Sequence, residues 1–439
     1  MSRVAKNIRE KISDRSAKIG VVGLGYVGLP LAIEFAKAGF KVTGIDVDSR
    51  KVEGVRAGRS HIQDVPDAEV AELVRKRKLT AQDNYRNCGR FDAIFICVPT
   101  PLRKTKDPDI SYIVGSMDEI GPQIRKGQLV VLESTTYPGT TEEILRPRLE
   151  AGGLKVGRDF FLAFSPERVD PGNTTYTTHN TPKVVGGSTP ECSEIAAHLY
   201  HQAIETVHAV SSTEVAEMIK LLENTFRAVN IAMVNEVVLM CEKLGIDAWE
   251  VIDGAATKPF GFMRFYPGPG IGGHCIPLDP HYLSWKLKTL NYSARFIELA
   301  SEINGQMPAV VVKRVADMLN DKKKSVKGSR VLVLGVTYKR DTGDVRESPA
   351  LDVIRLLEER GARISYTDPY TPTLMIEGGK QYRRSPMTTK TLGGADIAVL
   401  ITDHSEYDYD RIVRDSKLLL DTRNATREVR RGRSKIRKL

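Results

Sequence analysis

A thiol in a glycine-rich loop is the side chain with the clearest potential for chemistry. Cys275 ends the run Gly268-Pro269-Gly270-Ile271-Gly272-Gly273-His274-Cys275, and Asp279 follows it by four residues. Glycine lets a main chain close tightly on a ligand, and His274 and Asp279 are possible proton-transfer partners for the sulfur. A cysteine is more often a small buried side chain, and the apolar surroundings of the other four indicate that role: Cys88, Cys97, Cys192 and Cys241. Cys275 is therefore the candidate nucleophile.

Polar residues elsewhere suggest groups that could assist such a nucleophile. Lys220 and Asn224 are four residues apart, so on a helix they share a face and could both donate to one oxygen. Spacing alone favours the alternative that both face solvent. Thr135 and Glu167 come just after predicted strands, at the carboxyl edge of a sheet where ligands bind.

A second motif predicts a dinucleotide site. It comprises Gly23, Leu24, Gly25, Tyr26, Val27 and Gly28. Such a motif needs glycine for a tight turn, for the close approach of the main chain to a pyrophosphate, and for packing of the following helix. Asp46 ends the next predicted strand, where it could accept hydrogen bonds from a ribose diol and repel a 2′-phosphate. The motif therefore predicts NAD as the cofactor, although the nearby Arg50 and Lys51 slightly weaken the exclusion of NADP.

The pattern of predicted strands and helices around these residues indicates an α/β fold. Apolar strand-like runs alternate with helical stretches at 19–24, 42–46, 93–99, 128–135 and 160–167, which predicts a parallel sheet with helices on both faces. Residues 211–244 lack Gly and Pro and carry apolar residues at helical spacing, so they read as one long helix. A second series of strands follows at 330–336, 364–369, 395–402 and 417–422. We therefore expect two Rossmann-like doubly wound lobes, joined by the long central helix in a helical middle domain. The two lobes are candidates for distant structural analogues of each other.

This organisation predicts three domains in the 439 residues: 1–208 for NAD, 209–320 for the central helices with the cysteine loop, and 321–439 for the second lobe. The charged and polar composition of residues 321–330 indicates a solvated linker. The odd number of cysteines without a C-x-x-C pair argues against disulfides and a zinc ribbon, so no metal is expected. No membrane-length apolar run and no secretory h-region occur, which favours a cytoplasmic protein.

The net charge of +10 could indicate nucleic-acid binding, but seven of the basic residues lie in 427–439. We interpret that segment as a solvated or flexible tail, and we expect no nucleic-acid partner and only a modest effect on a dehydrogenase if it is deleted. A basic protein also suits a polyanionic substrate such as a nucleotide diphosphate.

Several motifs together resemble the UDP-glucose/GDP-mannose dehydrogenase family. They span most of the chain in the family's order: GVVGLGYVGLPLA (20–32), VPTP (98–101), ESTTYPGTTEE (133–143), SPERVDPGN (165–173), KLLENTFRAVNIAMVNE (220–236), GIGGHCIPLDPHYL (270–283) and GVTYKRDTGDVRESPA (335–350). The resemblance implies an NAD-dependent, four-electron oxidation of the C6 hydroxyl of a nucleotide sugar to an acid, through a cysteine thiohemiacetal and thioester. It also implies a homodimer formed through the long helix.

Carried onto this chain, the resemblance makes Cys275 the nucleophile and Lys220 with Asn224 the oxyanion donors. Asp279 would then act on the hydrolytic water, with Glu167 and Thr135 in proton transfer and water positioning. Thr100, Thr135 and Arg346 would join the cofactor site. The nucleotide sugar would contact residues of the SPER motif, the cysteine loop and the second lobe: Glu167, Arg168, Lys220, Asn224, Tyr266, Gly268, Gly270, Gly272, Gly273, Lys339 and Arg423.

Within the family, the motifs most resemble UDP-N-acetylglucosamine 6-dehydrogenases. Ile276 to Asp279 read I-P-L-D, whereas the UDP-glucose enzymes usually carry F-P-K-D or F-Q-K-D after the cysteine. UDP-N-acetylmannosamine, UDP-glucose and GDP-mannose remain alternatives. Two other classes stay open from the residues alone: a two-electron β-hydroxyacid dehydrogenase, which needs no such cysteine, and a non-enzymatic nucleotide-sensing or nucleic-acid-binding protein.

Overall fold

The computed structural model describes residues 2–62, 64–101, 103, 107–169, 173, 175–273, 275–376 and 379–439. The chain forms two compact units. Unit 1 comprises Met1–Glu223 and His281–Tyr292, and unit 2 comprises Asn224–Pro280 and Ser293–Leu439. The predicted boundaries of the three domains stay a prediction.

The α-helices of the described residues are α1 (Arg3–Ser13), α2 (Gly28–Lys37), α3 (Ser49–Arg56), α4 (Asp67–Arg75), α5 (Ser111–Ile120), α6 (Arg146–Glu150), α7 (Pro190–Tyr200), α8 (Thr213–Leu244), α9 (Ala248–Ala255), α10 (Asp279–Thr289), α11 (Arg295–Asn320), α12 (Pro349–Glu359), α13 (Thr389–Gly394) and α14 (Tyr409–Asp415). Short 3-10 turns occur at Cys88–Arg90, Gly121–Gln123 and Arg433–Lys435, and a π-helical turn occurs at Thr141–Leu145.

The strands are β1 (Lys18–Val22), β2 (Lys41–Ile45), β3 (Leu79–Gln82), β4 (Ala93–Ile96), β5 (Leu129–Leu132), β6 (Phe161–Phe164), β7 (Lys183–Gly187), β8 (Val207–Val210), β9 (Arg330–Leu334), β10 (Arg363–Thr367), β11 (Thr373–Met375), β12 (Gln381–Arg383), β13 (Ile397–Leu400), β14 (Leu419–Asp421) and β15 (Ile436–Lys438). Each strand expected from the sequence is present, usually a few residues shorter than its apolar run.

Unit 1 contains a sheet in the order β3-β2-β1-β4-β5-β6-β7-β8. The order reverses between β1 and β4, which is the doubly wound arrangement that places ligands at the carboxyl ends of the strands. The five strands predicted in this unit, β1, β2, β4, β5 and β6, are parallel as expected. β7, which the sequence analysis did not predict, runs antiparallel to β6. β6 and β7 are both buried along their whole lengths, so apolar character does not distinguish the two strand directions.

Unit 2 contains a parallel sheet in the order β10-β9-β13-β14-β15 and a small antiparallel pair, β11-β12. Successive residues of β9 point to opposite faces, so Val331 and Val333 join one apolar cluster while Leu332 and Leu334 join another. The expectation of two doubly wound lobes is confirmed.

The basic segment 427–439 corrects an expectation, because its last residues are not a flexible tail. β15 pairs with β14 in register, with Leu419 opposite Ile436. The main chain of Lys438 accepts a hydrogen bond from Arg314 at 3.0 Å, its ammonium lies 2.6 Å from Asp247, and Leu439 is buried. The apolar residues here are too few for a periodic signal, and the high charge suggested solvent.

The long helix predicted at 211–244 is α8, and Gly245 ends it with a φ of +71°. A left-handed glycine is the usual way to terminate a helix, because it lets the next N–H groups turn back to helix carbonyls. Here Ile246 N donates to Cys241 O at 3.0 Å. The boundary between the two compact units falls inside this helix, after Glu223.

The charged segment before β1 forms the amphipathic helix α1, whose Ala5, Ile8 and Ile12 are buried in the core of unit 1. In the part of the chain that the structure describes, a helix of the length and apolarity that would cross a bilayer is absent.

Candidate active site

The glycine turn after β1 has the geometry that a dinucleotide needs. Gly23 has a φ of +90°, and its N–H donates to Ile45 O at 2.7 Å. A Cβ on Gly28 would lie 1.8 Å from Gly23 O, so the turn and α2 can pack only with glycine at this position. A Cβ on Gly25 would meet no atom within 4 Å. The space beside Gly25 is therefore open to a ligand.

The start of α2 also suits a pyrophosphate. Val27 precedes the helix without a side-chain cap, and the first turn holds no acidic residue. Its N–H groups and dipole can therefore act on a bound anion. Tyr26 is half exposed next to this turn.

Asp46 lies directly after β2, as predicted, and is almost fully buried. Its Oδ2 accepts from Leu24 N at 2.8 Å and from Lys51 Nζ at 3.1 Å, and its Oδ1 accepts from Asp48 N at 2.9 Å. These bonds hold the carboxylate beside the glycine turn, where an adenosine ribose would reach it. The open space, the uncapped helix and the fixed acid fit NAD.

The carboxyl edge of the same sheet carries the other polar candidates of unit 1. Thr100 follows β4 and is buried, and its carbonyl accepts a hydrogen bond from Tyr282. Thr135 follows β5 and is partly buried, and the preceding Ser134 donates to Val98 O at 2.7 Å. The loops after β4 and β5 are thus tied together at this edge.

Glu167 follows β6, and both of its carboxylate oxygens accept hydrogen bonds. Oε1 accepts from Arg168 N at 2.7 Å and Val169 N at 2.6 Å, and Oε2 accepts from Lys183 Nζ at 3.1 Å. Burial acts to raise the pKa of this carboxyl, but Lys183, the Val169 N–H and Lys220 lower it below the ordinary value. The side chain of Arg168 instead pairs with Glu223 at 2.7 Å. Glu167 is therefore an ionised, immobile carboxylate.

Lys220 and Asn224 correct the solvent-facing interpretation that spacing favoured. They are only 9% and 6% exposed. Lys220 Nζ donates to Glu167 O at 2.7 Å, and Asn224 Nδ2 donates to Asp279 Oδ2 at 2.5 Å. In this structure the two side chains bond different oxygens rather than a common one.

A buried ion pair beside Glu167 was not predicted from the sequence. Lys183 contacts Glu133 as well as Glu167, and Tyr200 donates to Glu133 Oε2 at 2.5 Å. Glu133 and Lys183 each adjoin an apolar strand run. A charged residue at the end of a buried strand is the sequence signal that marks such a pair.

In unit 2, the glycine loop that leads to Cys275 is anchored at both ends. Gly268 N donates to Asn235 Oδ1 at 2.9 Å, and Gly273 N donates to Arg346 O at 3.1 Å. A Cβ on Gly272 or Gly273 would lie less than 3 Å from the side chain of Tyr338. A Cβ on Gly270, which has a φ of +136°, would lie 3.1 Å from Pro349. The glycines are required because the loop packs directly against the second lobe.

Cys275 is partly buried, whereas the other four cysteines are buried as expected. Its carbonyl accepts from Asp279 N at 2.8 Å, at the start of α10. The thiol and the carboxylate therefore lie on one tight turn, with Asn224 bonded to the carboxylate. His274 lies outside the described residues.

The remaining substrate candidates also lie in unit 2. Arg423 is partly buried and lies against the cysteine loop, because its Nη1 would be 2.5 Å from a Cβ on Gly268. Desolvation lowers the pKa of its guanidinium. Tyr266 stacks on Trp249 and donates to Asp253 Oδ1 at 2.6 Å. Lys339 is partly buried in the loop after β9.

Arg346, predicted to lie near the nicotinamide, pairs with Asp344 at 2.6 Å. The structure thus brings Thr100, Thr135, Glu167 and Lys220 to unit 1, and Cys275, Asn224, Asp279, Arg423 and the cysteine loop to unit 2.

A doubly wound lobe with this glycine turn and acid, followed by a helical region and a second such lobe, defines an NAD-dependent dehydrogenase. The chain belongs to the UDP-glucose/GDP-mannose dehydrogenase family. Residues 17–204 match the family's NAD binding domain, 214–306 its central domain and 332–428 its UDP binding domain. The predicted family and the NAD cofactor are confirmed.

The chain is similar to family members that are named for different substrates. It is 36% identical to the UDP-N-acetyl-D-glucosamine 6-dehydrogenase of Pseudomonas aeruginosa, over 90% of this chain and 92% of that one. It is 35% identical to an NDP-N-acetyl-D-galactosaminuronic acid dehydrogenase of Ralstonia nicotianae, over 92% and 95% of the two chains. Among solved structures, the UDP-D-ManNAc dehydrogenase of Pyrococcus horikoshii is 33% identical with a TM-score of 0.87, over 96% and 98% of the chains. The chain is thus a nucleotide-sugar dehydrogenase.

Proposed function

We propose that the protein oxidises the C6 hydroxyl of a UDP-N-acetylhexosamine to a carboxylate, with UDP-N-acetylglucosamine as the first candidate. The observation that carries the proposal is the turn on which the partly buried Cys275 lies beside Asp279, at the end of an anchored glycine loop. A two-electron dehydrogenase has no use for such a thiol. The Ile276-to-Asp279 sequence and the relative from Pseudomonas aeruginosa support an N-acetylated sugar.

Cys275 would hold the half-oxidised carbon. When bound, NAD accepts a hydride at each of the two oxidations, so each sugar consumes two NAD. The Cys275 sulfur adds to the aldehyde carbon as a thiolate, and the thiohemiacetal then becomes a thioester on further oxidation. Water cleaves the carbon–sulfur bond, which releases the acid and restores the thiol.

Lys220 and Asn224 would stabilise the oxyanions of these steps. The Lys220 ammonium has three N–H groups and donates one of them to Glu167 O, so another could donate to a substrate oxygen. Asn224 is held by Asp279, and that carboxylate would in turn orient the hydrolytic water. The ionised Glu167 could accept a proton, with Thr135 positioning water nearby.

Binding of the nucleotide sugar would use the cysteine loop and the basic residues of unit 2. The loop glycines from Gly268 to Gly273 present main-chain groups without side-chain hindrance. Lys339 and Arg423 would meet the diphosphate or the base, with Tyr266 packing against the ligand. Arg168 and Arg346 are assigned to the substrate and the cofactor, respectively, as further proposals.

A homodimer through α8 is part of the same proposal. The unit 2 part of the helix exposes apolar side chains at a spacing of seven residues: Phe226, Met233 and Met240, which are 45%, 46% and 51% exposed. Residues seven apart lie on one side of a helix, so the three form a stripe. A second copy of α8 would cover it, and sedimentation of wild type and Met233→Asp would test this.

The experiment that tests the activity offers NAD and one sugar at a time to the purified protein. The sugars are UDP-N-acetylglucosamine, UDP-N-acetylmannosamine, UDP-glucose and GDP-mannose, and reduced cofactor and acid are both quantified. We expect two NADH per acid and the highest kcat/KM with UDP-N-acetylglucosamine. One NADH per sugar, with no acid, would reject the four-electron proposal, and a higher kcat/KM with another sugar would reject the first candidate.

A further inference from the structure

Lys183 lies between two carboxylates at the carboxyl edge of the unit 1 sheet. Its Nζ donates to Glu133 Oε1 and, at 3.1 Å, to Glu167 Oε2. Tyr200, at the end of α7, donates to the other oxygen of Glu133 at 2.5 Å. Lys183, Glu133 and Tyr200 are all buried. We name Glu133, Glu167, Lys183 and Tyr200 the Lys183 network.

Within this network the two carboxyls, when both are ionised, share the single ammonium of Lys183. Keeping the buried Glu133 as an anion is costly, because burial removes its charge from water. Outside the network, the ammonium of Lys220 contacts Glu167 from α8 and adds its positive charge there. The thiol of Cys97 also lies near the pair. Burial raises the pKa of Cys97, so this thiol stays neutral and supplies no charge.

The surplus proton has a preferred location. Burial raises the pKa of Glu133 to about 7, with Glu167 adding to the rise and Lys183 and Tyr200 opposing it. Glu167 stays ionised, because Lys183 and two main-chain N–H groups act on it. Near neutral pH the network therefore gains or loses its proton at Glu133.

We propose that Lys183 and Glu133 are positioning residues that set the basicity of Glu167. Lys183 fixes the Glu167 carboxylate as an anion, and the ionisation of Glu133 decides how strongly Lys183 acts on it. When Glu133 is neutral, the charge of Lys183 falls on Glu167 alone and makes it a weaker base. When Glu133 ionises, it shares that charge, and Glu167 becomes the better proton acceptor. This inference rests on the proposed role of Glu167 in proton transfer.

The pH profile of kcat tests the proposal. We expect wild type to lose activity as pH falls through about 7, because protonated Glu133 weakens the base. Glu133→Gln should remove this limb and hold kcat at the low level above pH 8, about two- to tenfold below wild type. Lys183→Met should move the limb upward by about one pH unit or more, because the two carboxyls then share a proton without a cation. Lys183→Arg is the matched control and should keep the limb near its original pH.

A purely structural role predicts a different pattern. If Lys183→Met and Lys183→Arg both lose activity without moving the limb, or if Glu133→Gln keeps it, the proposal is wrong. Lys183→Met removes the ammonium from the buried Glu133 and the partly buried Glu167, and could fail to fold. Glu133→Gln retains the Lys183–Glu167 ion pair, so its profile decides the question in that case.

A titration without turnover separates this proposal from the proposed function. Difference infrared spectra of the purified protein would follow carboxyl protonation between pH 5 and 9. We expect a carboxyl that titrates near 7, is absent in Glu133→Gln, and titrates at lower pH in Glu167→Gln, where the like charge is removed. A band unaffected by Glu167→Gln would reject the coupling, even if no sugar is oxidised. Failure of the sugar panel with this coupling intact would reject only the proposed function.

Discussion

Asp46 and Asp368 occupy equivalent positions in the two lobes. Each follows the second strand of its lobe along the chain, β2 or β10. Its Oδ2 accepts at 2.8 Å from the N–H of the residue after a left-handed glycine, Leu24 in one lobe and Val336 in the other. The expected likeness of the two lobes therefore extends to individual hydrogen bonds. The acids differ in what else they bind. His404 Nε2 lies 3.0 Å from Asp368 Oδ2, and His404 Nδ1 accepts from Asp341 N, so Nε2 carries the proton and donates it.

This difference predicts that an Asp→Asn substitution affects a different property in each lobe. Asp46→Asn should weaken NAD binding about tenfold or more, because the ribose loses a charged acceptor. Asp368→Asn should leave NAD affinity unchanged but lower the stability of the second lobe, since a buried histidine loses its partner. Calorimetric titration with NAD and thermal unfolding would measure both. Equal NAD affinity in wild type and Asp46→Asn would contradict the assignment.

The open space at Gly25 gives a second test of the cofactor site. Gly25→Ala should fold normally, because the added methyl meets no protein atom within 4 Å. It should nevertheless raise the Kd for NAD by about tenfold or more, because the pyrophosphate needs that space. Gly115→Ala is the control, since its Cβ is equally unhindered and it lies in α5, away from the glycine turn. An unchanged Kd in Gly25→Ala would place the pyrophosphate elsewhere.

Replacing the candidate nucleophile should separate binding from turnover. Cys275→Ser is expected to bind NAD as wild type does but to form acid at least about 10²-fold more slowly, because a hydroxyl is a much weaker nucleophile than a thiolate. Cys241→Ala removes a buried thiol with no proposed role and should retain activity. Acid and NADH assays compare the three proteins. Normal acid production by Cys275→Ser would disprove the thioester route.

The ordered end of the chain changes the expected effect of truncation. Deleting residues 436–439 removes β15, the buried Leu439 and the acceptor of Arg314. We expect a loss of at least about 1.5–3 kcal/mol in the free energy of unfolding, the value of burying one leucine. Replacing the exposed Arg430, Arg431 and Arg433 with Gln keeps the strand and serves as the control. Equal urea midpoints for the truncated and intact proteins would contradict the structural role.

Glu217 predicts a pH-dependent stability. It accepts from Gly139 N, Thr141 N and Thr141 Oγ1, yet burial raises its pKa to about 7 from 4.5. Below pH 4.5 the folded and unfolded chains both hold the proton. As pH rises to about 7 the unfolded chain releases it first, so the free energy of unfolding falls.

Glu217→Gln removes this titration and provides the comparison. The stability of wild type relative to the variant should fall between pH 5 and 8, as measured by urea unfolding at each pH. Glu133 gives a slope of the same sign in both proteins, so it cancels in the difference. A relative gain of wild type with rising pH would mean that the three donors keep Glu217 ionised below its ordinary pKa.

Local patterns in the sequence determined much of this protein. Apolar runs located nine of the strands, which are β1, β2, β4, β5, β6, β9, β10, β13 and β14. The absence of Gly and Pro, with apolar residues at helical spacing, located α8. The glycine turn with Asp46 identified the NAD site, because a tight turn, a helix start and an acid all lie within a short stretch of chain. Cys275 was separable from the four buried cysteines because a glycine-rich run, residues 268–273, leads to it.

Tertiary structure alone decided the contacts between residues far apart in sequence. Lys220 bonds a carbonyl 53 residues away, and Lys183 pairs with Glu133 across 50 residues. The direction of β7 and the pairing of β15 likewise depend on which strand lies alongside. Periodicity reports which face of an element is buried, but the partner on that face is set by the packing of the whole unit.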